Sequence, residues 1–181
     1  GMNTPGGFGE FINVPADWVV KKPSNLSSLE AMSIGTAGLT AAASVLKINE
    51  SPNESKLPVL VSGSTGGVGS ISVMLLSKLG KEVSALTGKA SSVNFLQSIG
   101  ATNIIMRDEY LETPAKAMER PLFASAVDTV GGNVLSKMLP QISPHGVVAC
   151  CGNVAGIEVS TTVFPFILRG ITLAGIDSAE S

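Results

Sequence analysis

A doubly wound α/β fold, with a parallel sheet covered by helices on both faces, is predicted by three observations. Short apolar runs alternate with segments of helical period along most of the chain. One of these junctions, Pro58–Gly80, runs apolar strand, glycine turn, helix. The composition also suits a buried sheet, with 44% hydrophobic and only 14% charged residues in 181.

Residues 1–25 stand apart. A turn and short strand are predicted over Gly6–Val14 and a second short strand at Val19-Val20, with the only Trp between them. Gly1 ahead of Met2 reads as the remnant of an expression tag. Ser27 or Ser28 caps a first helix, with Glu30 in its first turn and a small-residue patch, Gly35-Thr36-Ala37-Gly38, inside it. Asn49–Lys56 is a surface loop. Val59-Leu60-Val61 is the first strand, and Val68, Ile71, Val73, Met74, Leu75 and Leu79 give the next helix its period. Glu82–Thr87 is the second strand, Ala90–Ile99 a helix ended by Gly100, and Asn103–Met106 the third strand. Residues 107–121 are polar and proline-punctuated, with at most a short helix around Ala115–Met118. Phe123–Asp128, Gly146–Cys151 and Ile171–Gly175 are the remaining strands, with Val134–Leu139 in a helix after the fourth. This alternation gives right-handed crossovers and a sheet of the Rossmann type.

The glycine turn is where chemistry is expected. The window Ser64-Thr65-Gly66-Gly67-Val68-Gly69 matches G-x-G-x-x-G except for Ser64. A helix entered through such a turn directs free N–H groups at a phosphate above the strand, so a dinucleotide site is expected there. At the end of the second strand an NAD site usually carries a carboxylate. Here the place holds Thr87-Gly88-Lys89, with no carboxylate before Asp108. A hydroxyl and an ammonium suit a 2′-phosphate, which favours NADP. The loops after the fourth and fifth strands, from Asp128 and from Cys151-Gly152-Asn153, reach the same crevice. Asp128 is either a helix cap or a cofactor contact.

Cys150 and Cys151 read as strand packing rather than nucleophiles, and His145 as a turn residue. No zinc-ligand spacing, G-x-S-x-G elbow or carboxylate pair appears. Net charge is −2 with no basic cluster, which argues against nucleic acid. No apolar run is read as crossing a membrane. Two adjacent cysteines and no visible signal peptide suit a reduced, cytoplasmic setting.

Taken together, Gly35–Ala41, the Ser-Thr-Gly-Gly-Val-Gly turn, Leu86–Lys89, Val127–Gly132 and Pro165–Ser178 resemble the zinc-less medium-chain dehydrogenases/reductases. The last stretch is similar to the quinone oxidoreductase and acryloyl-CoA reductase branch. The resemblance implies NADPH-dependent reduction of an activated carbon–carbon double bond or a quinone, without zinc. It implies Thr65, Gly66, Gly67 and Val68 on the pyrophosphate, and Thr87, Gly88 and Lys89 on the 2′-phosphate with Arg107 as a second cation. Asn153, Ile167 and Ser178 fall where the family lines the nicotinamide. The family often has Ser-Gly-Arg where this chain has Thr-Gly-Lys, and lysine lacks the bidentate fork. Residues 1–25 are then a segment of a GroES-like catalytic domain or its linker, and 26–178 the NAD(P)-binding domain. On this view the catalytic residues lie outside the chain, and the last strand pairs with its twin in a homodimer. Two other expectations stand beside it: a non-catalytic redox-sensing module, and the cofactor domain of a zinc alcohol dehydrogenase relative.

Overall fold

The computed structural model describes residues 6–7 and 9–178. Six strands form one sheet: β1 (Val59–Val61), β2 (Val83–Thr87), β3 (Asn103–Met106), β4 (Ala126–Asp128), β5 (Val147–Cys150) and β6 (Thr172–Gly175). Their order is β3-β2-β1-β4-β5-β6, and every neighbouring pair is parallel. The doubly wound α/β expectation is met.

Alternation of side chains across the pleat splits the core in two. Val59, Val61, Val147 and Ala149 point to one face, where Val45 and Ile48 of α1 (Ser28–Asn49) and Val73 and Leu76 of α2 (Gly67–Lys78) cover them. Leu96 of α3 (Val93–Ser98) joins that face. Leu60 and Val148 point to the other, under Val134, Leu135 and Met138 of α5 (Gly132–Met138).

Helix α1 begins in a reciprocal capping box. Ser27 Oγ accepts from Glu30 N, and Ser27 N donates to Glu30 Oε2 at 2.8 Å. Ser27 N, and Ser27 Oγ at 2.7 Å, both donate to the Glu30 carboxylate and hold it below its ordinary range. The helix is broken at Gly35, whose φ of 46° and ψ of −152° are open to glycine but not to a residue with a Cβ. Beyond the break Ala37 presses on α2, where a Cβ at Gly67 would lie 3.1 Å from its own. By length and composition α1 could span a bilayer, contrary to the expectation that no apolar run is long enough. Thr40, Ala41, Ser44, Val45 and Ile48 are nonetheless buried against the domain, as in a core helix.

Elsewhere the sequence expectation is corrected. Neither strand expected in the N-terminal segment forms among its described residues, and Phe8 lies outside them. Residues Ala16–Trp18 make a single 3-10 turn, while Phe11 and Val20 are exposed. Among the described residues no second strand is beside them to complete a ladder. The helix expected at Ala115–Met118 is replaced by α4 (Arg107–Leu111), which starts directly after the last residue of β3 with Asp108 and Glu109 in its first turn. Carbonyls of the expected stretch and its neighbours are taken by remote side chains: Ala117 O by Thr162 Oγ1, Glu119 O by Arg169. The sequence reading also passed over α6 (Phe164–Arg169), which leads into β6. Of Phe123–Asp128 only the last three residues form strand, with Phe123 in an isolated bridge to Ile142.

Candidate cofactor site

A parallel sheet delivers the carboxyl ends of all its strands to one edge. The register makes this concrete, pairing Thr87 with Met106, Val61 with both Ala85 and Val127, Asp128 with Cys150, and Cys150 with Gly175. Residues 65–68, 87–89, 107, 128, 151–153 and 178 therefore lie along a single rim. β1 sits between β2 and β4, which is where the strand order reverses and a crevice opens.

The glycine turn is held from below. Ser64, the residue replacing the first glycine of the fingerprint, is buried, and its Oγ donates to Leu86 O at 3.0 Å. It thereby ties the turn to the end of β2. Gly69 has no room for a side chain, since a Cβ there would lie 2.3 Å from Gly63 O. Gly66 is exposed and caps α2, which runs twelve residues, so the first N–H groups of that helix stand open to the crevice. Thr65 and Val68 are half-buried beside it.

At the exit of β2, Thr87 is buried and its Oγ1 accepts from Lys89 N at 3.1 Å. Gly88 and Lys89 are exposed. The Arg107 guanidinium lies on Gly88: a Cβ at 88 would be 3.0 Å from both Cζ and Nη1. Two cations thus flank Gly88, at the ends of β2 and β3. The Arg107 fork is already engaged, with Nε and Nη2 donating to Asp108 Oδ1 at 3.0 and 2.9 Å.

Asp128 is fully buried, and its carboxylate works inward. Oδ1 accepts from Ser62 Oγ at 2.6 Å and from Val130 N at 3.3 Å, and Oδ2 from Gly131 N at 2.9 Å. Its partners lie in the loops after β1 and β4, and it is not the helix cap that was one of its two readings, since α5 is capped by Gly131 without a side-chain bond. The loop it shapes packs against the glycine turn, with Thr129 Oγ1 donating to Ser62 O. It also receives the β5 loop, through Cys151 N to Asp128 O and Ala155 N to Val130 O.

Cys150 Sγ and Cys151 Sγ both point at Asp128. Burial and that negative charge push both thiols up, Cys151 to about 11. Thiols held protonated in this way are poor nucleophiles and poor metal donors. Among the described residues no three His, Cys, Asp or Glu side chains gather. Asn153 is exposed on the rim, and Ser178 Oγ is 2.6 Å from Thr40 Oγ1, joining the segment after β6 to α1.

Ile167 is the exception among the expected site residues. It is exposed on α6, two residues before Arg169, whose carbonyl accepts from His145 N at the opposite edge of the sheet. The fold does not bring it to the rim. Sequence reasoning missed Ser62, Thr129 and Thr40, which support the rim without facing it. The small polar residues beside Gly63 and Asp128 were the available signal. A concavity of about 820 Å³ lies on the flank of α5, between residues 111–117 and 155–162.

A 3-2-1-4-5-6 parallel sheet with a glycine turn at its switch point defines a domain of the dinucleotide-binding class. Residues 67–180 match the zinc-binding dehydrogenase family. The chain belongs to that family, among the medium-chain dehydrogenases/reductases, and corresponds to their nucleotide-binding half. It is 45% identical to YhfP of Bacillus subtilis, which carries a quinone oxidoreductase's name, over 98% of this chain and 54% of that protein. A structure of YhfP with NAD bound superposes with a TM-score of 0.86, covering 93% of this chain and 51% of the other at 45% identity. The acrylyl-CoA reductase AcuI of Ruegeria pomeroyi is 43% identical over 96% of this chain and 53% of its own length. The yhdH oxidoreductase of Salmonella enterica, in complex with NADP, gives a TM-score of 0.89 at 44% identity, over 97% of this chain and 54% of the other. The chain thus spans about half the length of the relatives it matches.

Proposed function

We propose that this chain is the NADP(H)-holding domain of an oxidoreductase that reduces an enoyl thioester of the acryloyl-CoA kind, or a quinone, by hydride transfer. The observation that carries the reading is the pair of cations flanking Gly88 at the ends of β2 and β3, on the same rim as the open N-terminus of α2. Thr65, Gly66, Gly67 and Val68 would hold the pyrophosphate through backbone N–H groups. Thr87, Gly88, Lys89 and Arg107 would hold the 2′-phosphate, and Cys151, Asn153 and Ser178 would flank the nicotinamide. Asp128 would act beneath them, as the residue that shapes the loop. The nucleotide would supply the hydride. What these residues do is bind and orient it against the β5–β6 end of the rim. The relatives' names and their NADP and NAD complexes support both the cofactor and the substrate class.

In the same reading residues 1–25 belong to a catalytic domain or linker, and 26–178 form the cofactor domain. The whole protein works in the cytoplasm without zinc on small-molecule substrates, and this domain alone turns nothing over. β6 is the terminal strand, with Thr172, Leu173 and Gly175 exposed, and it would pair with its twin in a homodimer. Calorimetric titration of this chain with NADPH and NADH tests the site: tighter binding of NADPH is expected, and binding of neither by the folded chain overturns the reading. NADPH oxidation by the longer protein with acryloyl-CoA or a quinone tests the reaction. Sedimentation of Leu173→Lys against the unchanged chain tests the dimer, which the substitution should dissociate.

A further inference from the structure

We infer that Asp108 sets how strongly this site prefers a nucleotide bearing a 2′-phosphate, by occupying the Arg107 guanidinium that such a phosphate would take. The inference rests on the reading of the site as an NADP(H) site. Arg107 is the first residue of α4, and its guanidinium is laid over Gly88, the residue before Lys89. Lys89, the other cation, makes no hydrogen bond or ion pair among the described residues through its ammonium. Arg107, by contrast, spends two donors on a single oxygen, Asp108 Oδ1.

That pair stands in water, with the Arg107 side chain 51% and Asp108 82% exposed. An exposed ion pair is weak, so a phosphate that accepts from both arms of the fork can displace the carboxylate. Displacement is not free, however. The pair's own attraction is lost, and the freed carboxylate stays one residue away from the incoming phosphate. A nucleotide with a free 2′-hydroxyl asks for neither, and a carboxylate is an acceptor for that hydroxyl. Asp108 therefore narrows the gap between NADPH and NADH. The usual place for a selecting carboxylate is the end of β2, and here the acidic group acts instead from the first turn after β3. Relatives of 44% and 45% identity crystallised with NADP and with NAD are in keeping with a site whose discrimination is moderated.

The test is calorimetric titration of the unchanged chain, Asp108→Asn, Arg107→Gln and the double variant with NADPH and NADH. Asp108→Asn is expected to tighten NADPH about two- to fivefold and to leave NADH unchanged or weaker. The gain should vanish when Arg107 is also Gln, because the aspartate acts through the arginine. Thermal melting of Asp108→Asn should match the unchanged chain, since the pair is exposed. An unaltered NADPH-to-NADH ratio in Asp108→Asn, with Arg107→Gln lowering it, overturns the role of Asp108 and leaves the site reading standing. Failure of the unchanged chain to bind either nucleotide overturns both.

Discussion

Ser62 Oγ donates a 2.6 Å hydrogen bond to Asp128 Oδ1, joining the exit of β1 to the last residue of β4. Thr129 N donates back to the same hydroxyl at 2.9 Å, so the serine is used from both sides. One buried carboxylate thereby fixes the two loops that meet at the switch point. Asp128→Ala would leave the Ser62 hydroxyl and the Gly131 and Val130 amides without their acceptor. The expected cost is roughly 3 kcal/mol, read by urea denaturation, with nucleotide affinity falling as the loop relaxes. Asp128→Asn keeps an acceptor and should cost less.

The glycines of the turn separate into structure and access. A methyl at 69 would be forced onto the Gly63 carbonyl, so Gly69→Ala should destabilise the fold by about 1–3 kcal/mol. A methyl at 66 would be 3.3 Å from the same oxygen, in a backbone conformation that alanine adopts. Gly66→Ala should melt near the unchanged chain yet bind either dinucleotide on the order of tenfold more weakly, through crowding of the phosphate. Equal losses of stability in the two variants would refute the division.

Lys89 is the exposed ammonium at the end of β2. Lys89→Ala should weaken NADPH by about tenfold and leave NADH nearly untouched, as expected for one charged contact to a phosphate. NADPH affinity should also fall more steeply with added salt than NADH affinity, and the substitution should flatten that difference. Titrations at two ionic strengths measure both.

The Cys151 thiol gives a pH signature. Its folded value, about 11, lies above the ordinary 9.0 because burial and then Asp128 disfavour the thiolate. The folded state therefore holds its proton more tightly than the unfolded chain. The resulting stabilisation is present in full below pH 9 and is lost as pH rises from 9 towards about 11. Urea denaturation at pH 8 and pH 10.5 should show a smaller loss for Cys151→Ser than for the unchanged chain. At pH 8 the native thiols should resist iodoacetamide.

The strands β1, β2 and β5 and the rim they make were legible because burial on both faces forces apolar runs, and glycine marks the turn that follows, while edge strand β3 showed through its half-buried Ile104-Ile105-Met106. Ser64 shows the limit of the motif: the fingerprint scores it as a missing glycine, whereas its hydroxyl ties the turn to Leu86. Asp128 was left between two roles because a strand-end carboxylate looks the same whether it points into the loop or out of it. The N-terminal strands were misread since periodicity describes a segment's own preference, and a strand also needs a neighbour to pair with. Ile167 was placed by likeness alone, and α6 carries it away from the rim. Asp108 was passed over because the usual spacing looks for an acid after β2, and the contact that matters comes through Arg107.

The order of the strands has a consequence for how the site can be altered. β2 and β6 are four strand spacings apart, roughly 19 Å along the rim. Lys89 and Ser178 therefore touch no common neighbour, and the two ends of a bound dinucleotide answer to separate parts of the chain. Substitutions at the two positions should combine by simple addition of their free energies, with a coupling under about 0.5 kcal/mol in a double-mutant cycle. Selectivity for the phosphate could then be retuned at one end without disturbing orientation at the other.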